Sequence, residues 1–240
     1  MQRRVLVTRP QPGGSATARA LIAAGFEPII LPLTEIRPLA PAVVASGDFA
    51  ALAVTSANAI RHAPDWLIAR HAALPVFAVG DSTGAAAIQS GFAQVNAGPG
   101  DAEGLARLAS VRLAAGARIL YLCGHVRRPE LERWLGRSGF DVVPVETYDT
   151  VPAVILPEQL TLLAPPAPPP FVVMVHSAEA ARALMALEAR PELGSALREA
   201  VHLCISERAA APLREKAVAR IVIAAAPTDT AMIAGLRALP

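Results

Sequence analysis

Lysine is almost absent from the 240-residue sequence, and long runs of basic residues are missing. Lys216 is the only lysine, so the 22 basic residues are nearly all arginines; they face 20 acidic residues, for a net charge of +2. Without a basic patch or stripe, the chain lacks the electrostatic footprint of a nucleic-acid-binding protein. A few placed guanidinium groups, which bind carboxylates in a fixed fork geometry, would instead suit a small polyanionic ligand.

Long hydrophobic segments are also missing, although the mean hydropathy is +0.42. The apolar runs Val5–Val7, Phe171–Val175 and Ile221–Ala226 are far shorter than the roughly 20 residues that a membrane-spanning helix needs. Met1 leads into a short strand-like segment without the apolar core of a signal peptide. We therefore expect a cytoplasmic protein that does not contact the membrane.

Cysteine is scarce, and metal-ligand patterns are missing. Cys123 and Cys204 both lie in strand-like apolar runs, and we predict that they are reduced core residues, because free cysteine packs as a small hydrophobe. The five histidines show no metal-binding spacing with acids or cysteines. The sequence therefore predicts no bound metal.

Motifs of nucleotide-binding and nucleophilic enzymes are missing as well. No Gly-x-Gly-x-x-Gly follows a strand and no P-loop lysine occurs, so the loop Pro10–Gly14 is interpreted as a turn. No Gly-x-Ser-x-Gly elbow is present and no cysteine neighbours a base. Acids are sparse at the predicted strand ends, where Asp81, Glu207 and Asp229 occupy cap positions, and this argues against catalysis by paired carboxylates. We expect no cofactor.

What is present is an internal repeat of short apolar runs alternating with helical patterns, which predicts an α/β fold with parallel sheets. Four segments recur in the same order. The matched pairs are Val5–Leu31 with Ile119–Val145, Leu52–Ala59 with Val172–Ala180, Phe77–Thr83 with Leu203–Ala209, and Pro99–Leu105 with Pro227–Ile233. Two similar α/β halves facing each other would form a cleft, the usual place for a ligand.

The predicted helices have recognisable start and stop residues. Ser15 is predicted to cap a helix that Gly25 ends, and Asp81 or Ser82 to cap one that Gly91 ends; a third helix is predicted to end at Gly139. The run Pro165–Pro170 is interpreted as a stiff, extended surface loop.

The repeat marks the carboxyl ends of the predicted strands, where ligands bind in parallel α/β sheets. Hydroxyl-bearing and small residues dominate there. The segments are Thr8-Arg9, Thr55-Ser56-Ala57-Asn58, Gly80-Asp81-Ser82-Thr83, Gly124-His125, His176-Ser177, Ser206-Glu207 and Thr228-Asp229. Helix capping alone explains most single Ser and Asp residues at such positions. The whole set facing one cleft favours anion binding.

Over essentially its full length the chain resembles the uroporphyrinogen-III synthase family. The segments that carry the resemblance are Val7–Pro10, Pro32–Pro38, Thr55–Ala59, Val79–Thr83, Glu146–Tyr148 and the Pro227–Thr228 turn. The resemblance implies two similar flavodoxin-like lobes with parallel sheets, joined by a two-stranded hinge, with the chain crossing between the lobes twice. Residues 1–35 plus 150–240 would form lobe one and residues 36–149 lobe two. Strands near Leu33–Arg37 and Val145–Thr150 would pair as the hinge.

The resemblance also implies the substrate and the reaction. The substrate would be hydroxymethylbilane, a linear tetrapyrrole with acetate and propionate side chains, closed to uroporphyrinogen III with loss of water and inversion of the fourth ring. A pyrrole nitrogen expels the hydroxyl group, so neither metal nor cofactor is required. The enzyme would mainly orient and restrain its substrate, and we expect it to act as a monomer.

Residue by residue, Thr55, Ser56 and Thr83 match hydroxyl positions that line the cleft of the family, and Tyr148 matches a linker tyrosine proposed to assist departure of the hydroxyl group. The remaining candidates for substrate binding lie at the same strand ends. They are Arg9, Asn58, Gly80, Ser82, Gly124, Arg127, Ser177, Ser206 and Thr228.

Two arginines are candidates for binding substrate carboxylates. Arg127 is preferred among its neighbours because it is predicted to start a helix directly after a strand. The second Gly-x-x-Thr turn of the family is here Ser206–Ala209, which lacks the threonine; Arg208 either replaces it as a carboxylate partner or is a solvated helix residue.

Two other functions stay open at this point. One is a non-catalytic two-lobed protein that binds an anionic metabolite. The other is a phosphate-binding transferase, which the missing glycine-rich loop makes less favourable.

Overall fold

The computed structural model describes residues 3–41, 47–163, 171–190, 193 and 197–239. The proline-rich run Pro165–Pro170, predicted to be an extended surface loop, lies outside these residues. In the described part of the chain, strands and helices alternate along most of the sequence, which confirms the predicted α/β class.

The strands are β1 (Arg4–Val7), β2 (Glu27–Ile30), β3 (Thr34–Pro38), β4 (Ala51–Val54), β5 (Val76–Ala78), β6 (Val95–Ala97), β7 (Arg118–Gly124), β8 (Asp141–Pro152), β9 (Val172–Val175), β10 (Val201–Cys204) and β11 (Ile221–Ile223). The helices are α1 (Gly13–Ala23), α2 (Ala57–Arg61), α3 (Asp65–His71), α4 (Asp81–Gln89), α5 (Ala102–Arg112), α6 (Glu130–Arg137), α7 (Pro157–Leu160), α8 (Ala178–Glu188), α9 (Glu207–Glu215) and α10 (Asp229–Arg237).

The strands form two sheets. A five-stranded sheet has the order β11-β10-β9-β1-β2, and a six-stranded sheet has the order β3-β8-β7-β4-β5-β6. Every pairing within the first sheet is parallel, and so are those that join β8, β7, β4, β5 and β6. In its own chain order the first sheet reads 2-1-3-4-5, the flavodoxin-like arrangement.

The chain divides into two compact units. Unit 1 comprises Met1–Glu35 and Val151–Pro240, and unit 2 comprises Ile36–Thr150. Strands β3 and β8, which contain the points of division, are neighbours in the six-stranded sheet. The amide of Leu39 donates to the carbonyl of Thr147 (2.9 Å) and that of Ala153 to the carbonyl of Leu33 (3.0 Å), so the two strands run in opposite directions.

The internal repeat has a direct structural counterpart. The succession β1-α1-β2 corresponds to β7-α6-β8, and the strands β9, β10 and β11 correspond to β4, β5 and β6. The two sheets therefore place equivalent strands in equivalent order.

Both sheets are buried on both faces, which explains why their strands read as continuous apolar runs rather than as alternating ones. In β1, Leu6 packs into one core cluster of unit 1 while Val5 and Val7 pack into the other. In β7, Leu120 and Leu122 belong to one cluster of unit 2, and alternate residues of the strand belong to the second. Helices cover each face. Because most strands are followed by a helix, the helix N-termini lie at the carboxyl edge of each sheet.

Cys123 and Cys204 are free and buried, as predicted. Burial raises the pKa of each thiol to about 12, so both stay protonated and unreactive.

Several predicted helix caps are wrong. Ser15 lies inside α1, which begins at Gly13, and the side-chain oxygen of Gln11 accepts from the Ser15 amide (3.0 Å). Helix α4 has Gly80 as its N-cap and no side-chain cap, so neither Asp81 nor Ser82 fills that position. The helix ends were predicted correctly: Gly25, Gly91 and Gly139 follow their helices with positive φ angles of 86°, 96° and 84°.

No helix in the described residues is long and apolar enough to cross a membrane.

Candidate functional site

The carboxyl edge of each sheet collects the residues singled out from the sequence. In unit 1, Arg9 follows β1, Ser177 follows β9, Ser206 follows β10, and Thr228 lies beyond β11. Because the strands are parallel, these residues share one edge. The strand order of the sheet reverses between β1 and β9, and such a switch point is where ligands bind in open α/β sheets.

Arg9 and Asp229 form an ion pair at this edge of unit 1. Nη1 of Arg9 donates to both carboxylate oxygens of Asp229, at 3.0 Å each. Nη1 also lies 3.3 Å from the Thr17 hydroxyl, which donates to Asp229 (3.4 Å). The Arg9 side chain is 30% exposed, so the pair is accessible to a ligand.

His176 adjoins the same carboxylate. Its side chain is only 7% exposed, and Nε2 lies 3.4 Å from an oxygen of Asp229. Apart from this long contact with Asp229, neither ring nitrogen has a hydrogen-bond partner among the described residues. Burial lowers the pKa of His176, so the ring is neutral at pH 7. The pKa of Asp229 is lowered in turn by His176 and, to a smaller extent, by Arg9, which keeps the carboxylate charged.

Three predicted hydroxyls of unit 1 are helix N-caps. Ser177 accepts from the Ala180 amide (3.0 Å), Ser206 from the Ala209 amide (3.3 Å) and Thr228 from the Ala231 amide (3.1 Å). A hydroxyl that accepts a capping hydrogen bond still has its own hydrogen to donate. Capping and anion binding are therefore compatible at these three residues.

In unit 2 the equivalent switch point lies between β7 and β4. Thr55, directly after β4, shares a 2.9 Å hydrogen bond with the hydroxyl of Tyr121 in β7. Tyr121 is 1% exposed, and burial raises its pKa to about 12, so it stays protonated. Ser56 caps α2 by accepting from the Asn58 amide (3.2 Å), and the Asn58 side chain is half-buried.

The segment after β5 places its three candidate residues differently. Gly80 is half-buried at the N-cap of α4, Ser82 is exposed in the first turn, and Thr83 is buried with 4% exposure. A ligand at this edge can reach Gly80 and Ser82 more easily than Thr83.

Tyr148 lies in β8, half-buried beside the end of β7. A Cβ atom at Gly124 would lie 2.7 Å from Cζ and 3.0 Å from the hydroxyl of Tyr148, so only glycine leaves room for this ring. The ring also packs against the core of unit 2 and lies 6.4 Å from the His62 ring. Gly124 is thus a spacer that fixes where the phenol sits.

An irregularity in β8 sets the direction of Tyr148. The register jumps between Cys123–Glu146 and Gly124–Tyr148, which leaves Thr147 as an extra residue. The buried hydroxyl of Thr147 donates to the carbonyl of Ala59 (2.8 Å) and lies 3.4 Å from that of Cys123. This anchor ties the strand to α2 next to the Tyr148 ring.

Arg127 does not start a helix, contrary to the prediction. It lies in the loop after β7, and α6 begins at Glu130 with Pro129 as its N-cap. The guanidinium donates to Glu146 (2.7 Å) and Glu132 (3.1 Å). Glu146 also contacts His125 (2.8 Å), and this contact raises the pKa of His125 and lowers that of Glu146. The Arg127 guanidinium is therefore held in place by two carboxylates and is not free.

Arg208 is exposed in the first turn of α9 and has no ion pair or hydrogen bond among the described residues. Each unit thus brings its own predicted residues to one edge. The partners Asp229, Thr17, Tyr121 and Glu132 were not predicted as site residues. Asp229 and Tyr121 come from distant segments, whereas Thr17 and Glu132 lie within helices a few residues after their partners. A polar residue at the start of a helix, such as Asp229, was the only local signal.

Across the part of the chain that the structure describes, no group of three or more His, Cys, Asp or Glu side chains could hold a metal ion.

Comparisons with known proteins agree with the fold. The family model described as uroporphyrinogen-III synthase HemD matches residues 15–234. No curated protein sequence matches the chain significantly. Among solved structures, the fold is similar to that of a uroporphyrinogen-III synthetase from Helicobacter pylori, with a TM-score of 0.68, 18% identity and 100% of both chains covered. It is also similar to that of a mutant uroporphyrinogen III synthase from Thermus thermophilus, with a TM-score of 0.52, 17% identity, and 98% of this chain and 97% of that one covered.

Proposed function

The chain belongs to the uroporphyrinogen-III synthase family, and from this premise we propose which of its residues bind and turn over the substrate. The protein is a lyase of porphyrin biosynthesis that converts hydroxymethylbilane into uroporphyrinogen III with loss of water. The observation that carries the assignment of residues is that hydroxyl and guanidinium groups gather at the carboxyl edge of each sheet.

The substrate carboxylates explain the composition of these edges. Acetate and propionate groups accept hydrogen bonds but donate none when ionised. Ser177, Ser206 and Thr228 in unit 1, and Thr55 and Ser56 in unit 2, supply hydroxyl donors. Arg9 supplies charge-assisted donors, and such bonds are roughly twice as strong as neutral ones.

Asn58, Gly80, Ser82, Thr83, Gly124 and Arg127 complete the proposed binding surface. Thr83 is buried, and Arg127 is already paired with two carboxylates. We therefore expect Thr83 and Arg127 to be the weaker contacts. Arg208 is proposed as a further carboxylate partner because its charge is exposed and uncompensated.

Tyr148 is proposed to assist departure of the hydroxyl group. Expulsion by the pyrrole nitrogen requires a proton for the leaving oxygen, and the phenol of Tyr148 carries a hydroxyl hydrogen that it can donate in a hydrogen bond. No strong acid is needed, and restraint of the bent transition state supplies the selectivity for the type III isomer.

We further propose that units 1 and 2 are the two lobes of the enzyme and that β3 and β8 act as its hinge. The proposed enzyme is a monomer that acts in the cytoplasm and uses no cofactor.

The test combines product analysis with one pair of variants. Wild-type protein incubated with enzymatically generated hydroxymethylbilane is expected to give mostly the type III isomer, against the type I isomer in the protein-free control. Tyr148→Phe should lower kcat by about 10- to 100-fold, at the lower end of general acid catalysis, with KM and thermal stability nearly unchanged.

The chain offers one matched control, because Tyr121 is its other tyrosine. Tyr121→Phe removes the bond to Thr55 and should destabilise the fold by about 1 kcal/mol, with a smaller effect on kcat than Tyr148→Phe. Equal kcat for Tyr148→Phe and wild type would remove Tyr148 from the mechanism. Binding of the bilane without turnover would favour a non-catalytic binding protein.

A further inference from the structure

Asp229 is free to contact Arg9 because it does not cap its own helix. It is the first residue of α10, and the neighbouring Thr228 hydroxyl already accepts the capping bond from Ala231. Its carboxylate lies instead against Arg9, Thr17 and His176. Without these contacts, an aspartate at this position would be explained by its favourable interaction with the helix dipole.

The ion pair uses only one nitrogen of the guanidinium. Both oxygens of Asp229 accept from Nη1 of Arg9, and Nη1 also approaches Thr17. The described residues provide no hydrogen-bond partner for Nε or Nη2 of Arg9, so this edge keeps its donors. Nε and Nη2 form one of the two forks through which arginine binds a carboxylate with two parallel hydrogen bonds.

Gly13 makes room for the Arg9 guanidinium beside α1. A Cβ atom on this residue would lie 2.5 Å from Nε and 2.9 Å from Nη2 of Arg9. Gly13 is the first residue of α1 and does not have a positive φ angle, so its backbone does not require glycine. Close packing of the Arg9 guanidinium against α1 is therefore the structural reason for glycine here.

The first turn of α1 adds few donors of its own. The amide of Gly14 donates to the carbonyl of Pro10 (3.0 Å), that of Ser15 to the side chain of Gln11 (3.0 Å) and that of Ala16 to the carbonyl of Pro12 (3.2 Å). Affinity for an anion at this place thus depends mainly on Arg9.

We infer that Asp229 and Gly13 are positioning residues for Arg9, which presents its Nε–Nη2 edge as a receptor for one side-chain carboxylate of the tetrapyrrole. Asp229 holds the guanidinium by Nη1, and Gly13 lets the guanidinium lie against the start of α1. This inference rests on the proposal that Arg9 binds the substrate.

The direction in which KM changes in Asp229→Asn distinguishes a positioning role of Asp229 from simple charge neutralisation. If Asp229 only neutralised Arg9, then Asp229→Asn would strengthen binding of an anionic substrate and lower KM. Positioning predicts the reverse: KM for hydroxymethylbilane should rise about 10-fold, the loss of one charge-assisted contact, with little change in kcat. The double variant with Arg9→Ala should be no worse than Arg9→Ala alone, and Asp229→Glu should recover part of the loss.

Gly13→Ala provides a test that does not depend on the ion pair. Alanine is the better helix former, so stability should be kept, while the Arg9 side chain must move and KM should rise. Gly136→Ala in α6 is the matched control, because a Cβ there meets nothing within 4 Å, and it should leave KM unchanged.

The possible results distinguish this inference from the underlying proposal that Arg9 binds the substrate. A raised KM for Arg9→Ala with wild-type or lower KM for Asp229→Asn and Gly13→Ala overturns the inference and leaves the Arg9 contact standing. A wild-type KM for Arg9→Ala overturns both. A raised KM for all three single variants, with unfolding temperatures of Gly13→Ala and wild type alike, supports both.

Discussion

Arg9 and Asp229 stand 220 positions apart in the chain, yet their side chains meet at 3.0 Å. Arg127 and Glu146 are 19 positions apart and meet at 2.7 Å. In both cases the arginine follows a strand, where the sequence pattern could place it, while its carboxylate comes from another element. The charge that each guanidinium offers to a ligand is therefore a property of the folded chain and not of its local segment.

His176 makes the stability of the fold dependent on pH. Its pKa is lowered from 6.5 by burial, so between the lowered value and 6.5 the unfolded chain binds more protons than the folded one. Stability then rises with pH in this window and is lost as the pH falls. We expect the urea midpoint of the wild type to decrease from about pH 7 to about pH 5, and to decrease less in His176→Gln.

Other titrating groups do not obscure this comparison. The pKa of Asp229 is lowered from 3.8, so its own contribution is lost only at more acidic pH. His62 and His125 are present in both proteins and cancel in the difference. Parallel pH profiles for wild type and His176→Gln would show that His176 is not the group responsible.

Gly124 offers a test of where the phenol of Tyr148 must sit. Gly124→Ala places a Cβ against the ring, which has to shift while its hydroxyl is retained. We expect kcat to fall by about 10-fold with the type III isomer still the main product. Gly136→Ala is again the control, with a gain of about 0.5–1 kcal/mol from helix propensity and an unchanged kcat. A normal kcat for Gly124→Ala would mean that Tyr148 acts without a fixed position.

At the scale of helices and strands, the sequence predicted which elements exist better than where they begin. Glycines after α1, α4 and α6 were recognised because a left-handed residue needs glycine. The starts of α1 and α4 were missed because Gln11 caps one through its side chain and Gly80 begins the other without a side-chain cap. Serines such as Ser15 occur inside helices as well as at their caps, so residue type alone cannot locate the first turn.

The helices α8, α9 and α10 permit a separation of capping from ligand binding. Ser177→Ala removes both the cap of α8 and the hydroxyl donor, and should cost about 1 kcal/mol of stability. Ser177→Gly costs only a few tenths of that, because glycine is tolerated at this position, yet it removes the same donor. A raised KM in both variants, with near-normal stability in the glycine variant, would identify Ser177 as a substrate contact. If KM rises only in the variant that loses stability, Ser177 acts as a helix cap and not as a substrate contact.

At the scale of the whole molecule, the two sequence repeats do not each build one sheet. Strands β1 and β2 of the first repeat pair with β9, β10 and β11 of the second, and β7 and β8 of the second repeat pair with β4, β5 and β6 of the first. Periodicity could not reveal this exchange, since equivalent strands bury equivalent apolar faces in either arrangement. The family resemblance was the source of the expectation that the chain passes twice between halves.

Because of this exchange, unit 1 is made of two segments of the chain and unit 2 of only one. Unit 2 is a single segment, Ile36–Thr150, with two core clusters of its own. Unit 1 depends on β1, which lies between β9 and β2 and whose residues Val5, Leu6 and Val7 are fully buried. The loss of β1 should therefore affect unit 1 far more than unit 2.

We expect residues 36–150, produced alone, to unfold cooperatively on heating when followed by circular dichroism. Deletion of residues 1–35 should leave that transition in place and abolish the one from unit 1, because β9 loses its neighbour and large apolar side chains become exposed, at about 2–5 kcal/mol for each lost large residue. The matched control is Leu6→Ala in the full chain, which should lower the unit 1 transition only. A fragment 36–150 that fails to fold, or a Leu6→Ala variant in which both transitions shift equally, would mean that the units depend on each other for stability.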